Sequence, residues 1–88
     1  MNWHINISTK AAKALAKLNV TERDRIWDFI KNKLPNMQNP RTTGKALQGE
    51  FKGLWRYRVG DYRLICEIRE NELVILVLEI GHRKNIYN

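Results

Sequence analysis

The chain has 88 residues, with 16 Lys and Arg against 9 acids and a formal net charge of +7. That length suits one domain, 1–88, whose small core makes most large apolar side chains structural, while the basic excess favours a polyanionic partner. A single cysteine, Cys66, excludes an intrachain disulfide, and the longest apolar run, Leu73–Leu78, falls far short of the ~20 residues that span a bilayer.

The excess is not a tail effect: residues 1–40 carry 7 basic and 3 acidic groups, residues 41–88 carry 9 and 6. The opening segment MNWHINIST has neither the basic region nor the apolar run of a signal peptide, so a cytoplasmic protein without a membrane partner is expected.

Trp3, Ile5 and Ile7 alternate with polar residues, which predicts a strand over about residues 2–8. Ser8 or Thr9 then caps a helix whose stripe is Ala11, Ala14, Leu15 and Leu18, ending at Asn19. The T-x-x-D signal at Thr21–Asp24 starts a second helix, with Ile26, Trp27, Ile30 and Leu34 at helical spacing before Pro35 stops it. From Asn36 to Gly53 there is no periodicity, which predicts a long surface connection carrying Arg41, Lys45 and Lys52. Leu54–Val59, Tyr62–Arg69 and Leu73–Ile80 read as three strands joined by Gly60-Asp61 and Glu70-Asn71-Glu72, turns short enough for an antiparallel meander. The last is apolar at nearly every position, the pattern of a central strand covered on both faces. The expected fold is α+β: a first strand, a two-helix hairpin and a three-stranded meander completing a sheet with the helices on one face.

Period 2 turns Arg56 and Arg58 to one side of their strand and Trp55, Tyr57 and Val59 to the other. In the next strand Tyr62, Leu64, Cys66 and Ile68 should lie under the helices, so a short turn brings Arg63 beside Arg56 and Arg58 on the helix-free face. One reading is a solvated basic face neutralised by Glu67 and Glu79. The other is an anion site, since guanidinium forks bind phosphate through paired hydrogen bonds. After the last strand comes GHRKNIYN, in which Gly81 could release His82 or Arg83 into the same concavity. Histidine is the side chain suited to proton transfer near neutral pH. Cys66 falls in the apolar alternation and reads as core, and no clustered His or second Cys suggests a metal site.

The run KALQGEFKGLWRYRVGDYRLICEI, residues 45–68, followed by GHRKNIY, resembles the RelE/ParE superfamily of bacterial toxins, on the RelE side. The resemblance implies a ribosome-dependent mRNA endonuclease that cuts in the ribosomal A site, needs no metal or other cofactor, and is held inactive by a cognate acidic antitoxin. It implies that the toxin–antitoxin complex binds operator DNA through the antitoxin. Arg56, Arg58, Arg63 and Arg83 match the family's basic catalytic positions, and Tyr87 resembles a C-terminal tyrosine used against the RNA base. Lys45 and Lys52 match loop positions facing ribosomal RNA, and Arg41 and Lys84 add to that basic surface. For metal-free cleavage the 2′-hydroxyl attacks the adjacent phosphate, the arginines stabilise the phosphorane, and His82 is the expected proton-transfer group, with Tyr87 the alternative. Two other classes share the fold or the charge: a ParE-like DNA gyrase inhibitor and a non-catalytic RNA-binding module.

Overall fold

The computed structural model describes residues 2–82. Strand β1 (His4–Ile7) leads into helix α1 (Thr9–Ala16), whose cap is Ser8: the hydroxyl accepts from Ala11 N at 3.0 Å and donates to Leu78 O at 2.7 Å. One side chain thus closes the helix start and ties it to the far strand of the pair. Helix α2 (Val20–Asp28) is capped not by Thr21 but by Asn19, which accepts from Glu22 N at 2.9 Å. The T-x-x-D signal lies two residues inside the helix because Asn19 already satisfies the free amide.

The second helix is continuous in path but not in hydrogen bonding. After Asp28 it widens into a π-helical turn, Phe29–Lys33, then tightens into a 3₁₀ turn, Leu34–Asn36, where Pro35 takes an N-terminal position that needs no N–H. A short strand, β2 (Lys45–Ala46), lies within the segment expected to be irregular. Strands β3 (Trp55–Val59), β4 (Tyr62–Arg69) and β5 (Val74–His82) follow. Gly60 has φ +60 at the first position of the two-residue β3–β4 turn, a conformation that glycine adopts without penalty.

The sheet order is β1-β5-β4-β3-β2, with β1 parallel to β5 and every other pair antiparallel. This is the expected α+β arrangement, extended by β2 to five strands. Helix residues Ala11, Leu15, Ile26, Ile30 and Leu34 form one core with Tyr57, Val59, Leu64, Cys66, Ile75, Val77 and Ile80. The helices therefore cover the face that the alternation assigned to them.

Strand β5 departs from the expectation of burial on both faces: Ile75, Val77 and Ile80 are buried, whereas Leu76, Leu78 and Glu79 are half-buried. A bulge opposite Ile65/Cys66 lets Val77 and Ile80, three residues apart, share the helix face. On the other face Ile65 is buried, and Leu47 is buried outside the main core. Among the described residues, no helix is long and apolar enough to cross a membrane.

Candidate functional site

The β3–β4 hairpin sets the site. Its two-residue turn makes Val59 and Tyr62 a hydrogen-bonded pair, so Arg58 and Arg63, next along, form a non-hydrogen-bonded pair whose side chains approach more closely. Both point to the helix-free face. The adjoining row across the sheet runs Lys45, Arg56, Ile65, Glu79. Lys45, Arg56, Arg58 and Arg63 are thus brought together by register alone. Like charges directly opposite each other destabilise a sheet.

These four side chains border a groove of about 760 Å³ that curls around the rim of β3. Among the described residues β2 pairs only with Trp55 and Arg56, which leaves the Tyr57–Val59 edge open. Arg25, Asp28, Phe29 and Lys33 from the second helix and its π-helical turn also line the groove, with Met37, Thr43 and Gly44. Phe29 packs on Tyr57, ring centroids 5.5 Å apart, and fixes the distance between helix and strand. Arg58 Nε donates to Gly60 O at 3.4 Å, so that side chain folds back over its own turn.

Arg25, Asp28, Phe29, Lys33, Met37, Thr43 and Gly44 were not read as site residues. The only signal available was that Arg25, Asp28 and Lys33 stand off the apolar stripe of the second helix, as solvated residues do everywhere. Their meeting with β3 is a long-range contact that no local pattern encodes.

The other expected site residues are placed as follows. His82 pairs with Tyr62 and meets its ring edge-on at 5.4 Å. Tyr62 packs against the core, so the register puts His82 on the helix face, across the sheet from the arginine row, and it does not line the groove. The bulge in β5 precedes Ile80, and Gly81 does not reverse the alternation after it. Arg41 lies beside the groove rather than in it: it donates to Glu70 Oε1 at 2.9 Å and stacks 5.3 Å from the Trp55 ring. Lys52 is exposed after the 3₁₀ turn Gly49–Phe51, away from the groove lining. Arg83, Lys84 and Tyr87 lie outside the described residues.

Tyr57 lies between Arg56 and Arg58 in sequence but has a different task. Its hydroxyl donates to Pro40 O, it is 1 % exposed, and burial pushes its ionisation well above the usual tyrosine range. It is therefore no proton donor to a substrate. Burial likewise raises the Cys66 thiol, which is fully enclosed and inert as a nucleophile.

Guanidiniums beside aromatic and apolar side chains in one groove suit the chemistry of an extended anionic ligand, of which single-stranded nucleic acid is one class. Residues 5–87 match the family described as the ParE toxin of the type II toxin-antitoxin system. The chain belongs to this RelE/ParE superfamily of type II toxins.

Two curated relatives from Mycobacterium tuberculosis are similar over almost the whole length. Toxin RelE is 29% identical over 97% of this chain and 86% of its own, and toxin RelG is 29% identical over 99% and 98%. Among solved structures, a chain of the toxin–antitoxin complex RelBE2 from M. tuberculosis superposes with a TM-score of 0.85 at 26% identity, covering 97% of this chain and 95% of that one. A chain of the archaeal RelE–RelB complex from Pyrococcus horikoshii gives 0.75 at 27%, covering 98% and 100%. The fold of this chain is RelE-like.

Proposed function

We propose that this toxin is a ribosome-dependent endonuclease that cleaves mRNA in the ribosomal A site and thereby stops translation. The observation that carries the reading is the arginine pair, Arg58 facing Arg63 across the hairpin with Arg56 and Lys45 in the adjoining row. Cleavage would proceed by attack of a ribose 2′-oxygen on the adjacent phosphorus, forming that P–O bond, and departure of the 5′-oxygen, breaking the other. The arginines would hold the phosphate and stabilise the extra negative charge of the phosphorane. Fixed cationic donors of this kind are worth a few kcal/mol each, about 10²- to 10³-fold in rate.

Because arginine stays protonated, another group must take the 2′-proton and return one to the leaving oxygen. The expectation for His82 lacks support from the register, which sets its ring against Tyr62 on the opposite face. Tyr87, which the family resemblance aligns with a tyrosine acting against the RNA base, takes the role in this reading. Arg83 and Lys84 would extend the same basic surface, as would Lys52 on its exposed turn. The partner is an acidic antitoxin of RelB type, whose charge would cover the groove and exclude RNA; operator DNA would be bound through that antitoxin. A target on translating ribosomes places the toxin in the cytoplasm.

Expression without antitoxin followed by mapping of mRNA 5′ ends tests the reading. Cuts in register with codons, accompanied by a halt in protein synthesis, are expected. The matched family is described by its ParE members, so the rival is gyrase inhibition. Continued protein synthesis with accumulating double-strand DNA breaks would establish that activity instead.

A further inference from the structure

Strand β3 presents cations from Arg56 and Arg58, and from the intervening positions Trp55 and Tyr57 it reaches the other way to a loop. We infer that Trp55 and Tyr57 are positioning residues that clamp the loop 39–45, whose end Thr43–Lys45 lines the groove, so that their contribution to ligand handling runs through Lys45. The ligand half of this inference rests on the RNA-directed reading above; the clamp itself does not.

The loop has no regular structure of its own before Lys45 and is almost wholly exposed from Arg41 to Lys45. Asn39 closes a turn within it, its O accepting from Thr42 N and Oγ1 and its Oδ1 from Arg41 N, and the seat of that turn against the sheet comes from side chains beneath it. The Trp55 indole Nε1 donates to Thr43 O at 2.8 Å, and the Tyr57 hydroxyl donates to Pro40 O, which fixes two backbone carbonyls three residues apart. Arg41 spans the outside, stacked on the Trp55 ring and bonded to Glu70. Gly44 completes the seat: at φ +79, a Cβ there would come within 2.4 Å of Arg56 O and 2.6 Å of Trp55 Nε1, so only glycine lets the chain lie this close. The next residue is Lys45, which enters register with Arg56. The clamp therefore ends where the basic row begins.

A wall held in this way meets the ligand without a further ordering cost for the loop. Tyr57 is suited to the task because its own ring is locked between Phe29 and the core, so its hydroxyl has a fixed origin.

The test compares the full chain with Tyr57→Phe, Trp55→Phe, Lys45→Ala and the double variant Tyr57→Phe/Lys45→Ala. Limited digestion with trypsin reads the clamp without any ligand. Cleavage after Arg41 and Lys45 should accelerate about tenfold in Tyr57→Phe and in Trp55→Phe, with no acceleration after Lys10, Lys13 or Lys17. Equal rates at all sites would mean global loosening and would overturn the clamp, as would unchanged rates after Lys45. Binding to a fluorescein-labelled single-stranded RNA reads the consequence. Lys45→Ala should flatten the salt slope by about 0.7, Tyr57→Phe by a comparable amount, and the double variant by no more than either. Additive slope changes in the double variant, about 1.4 in all, would overturn the route through Lys45. Selective acceleration by trypsin in a protein that neither binds RNA nor cuts mRNA on translating ribosomes would uphold the clamp and refute the RNA-directed reading.

Discussion

Replacing Arg58 by Ala should change how RNA binding depends on salt, by an amount the register supplies. Four cations, Lys45, Arg56, Arg58 and Arg63, occupy the two adjoining rows on the helix-free face. If each neutralises one phosphate of a single strand, the slope of log affinity against log salt is about −0.7 per contact, or about −2.8 in all. Between 50 and 200 mM salt, affinity then falls roughly 50-fold. Arg58→Ala leaves three contacts, a slope of about −2.1 and a fall of roughly 20-fold. Fluorescence anisotropy with a labelled single-stranded RNA measures both slopes. Arg69→Ala is the control, because Arg69 is bonded to Glu67 and lies outside the groove, and its slope should equal the parent's. Equal slopes for Arg58→Ala and the parent would show that the arginine row does not touch the backbone, and the argument from register to ligand would fail.

Two further outcomes follow from burial and register. Burial raises both the Cys66 thiol and the Tyr57 hydroxyl above their ordinary values, so unfolding makes each easier to ionise. Stability from these groups is complete below their unfolded values and is lost as pH rises past about 8.5 for the thiol and about 10 for the phenol. Denaturant midpoints should be flat from pH 6 to 8 and fall above about 8.5, and Cys66→Ala should delay the onset to about 10; an onset that does not move would assign the loss elsewhere. His82→Gln should leave single-turnover cleavage and its pH profile within about twofold of the parent, whereas general acid–base loss would cost 10²- to 10⁴-fold. A loss of that size would return His82 to the chemistry despite its place beside Tyr62.

The arginine face was legible in the sequence because one short turn and strict period 2 leave little choice. Once Gly60-Asp61 joins two strands, Arg58 must oppose Arg63, and the apolar set Tyr62, Leu64, Cys66, Ile68 decides which way both point. The helix caps were half legible: Ser8 was a named candidate, whereas Asn19 was taken as an end rather than a start. Strand β2 was not legible, since two residues carry no periodicity and its pairing is a contact with Trp55 and Arg56. The same limit hid the groove. Alternation tells which face a side chain takes but not which edge of a strand is left open, and the groove forms where β2 stops and the π-helical turn brings Phe29 and Lys33 alongside. The choice between His82 and Arg83 after Gly81 is not legible for a related reason: a glycine permits a change of direction but does not require one, and pairing with β4 holds the alternation to the end of β5.

The juxtaposition of Arg58 and Arg63 carries a cost that can be measured in the folded protein without any ligand. A non-hydrogen-bonded pair places the two side chains at the closer of the two antiparallel spacings, and Arg58 is exposed, so its charge gains nothing from burial. Arg58→Thr removes the repulsion and supplies a side chain of higher strand preference. It should therefore stabilise the toxin by about 0.2–1 kcal/mol at low salt. The gain should shrink at high salt, where screening over a Debye length of about 3 Å at 1 M weakens the repulsion in the parent. Chemical denaturation at the two ionic strengths gives both numbers. A variant that is less stable than the parent at low salt would mean that Arg58 is held by favourable contacts of the fold, and the charge pair would then need no anionic ligand to account for it.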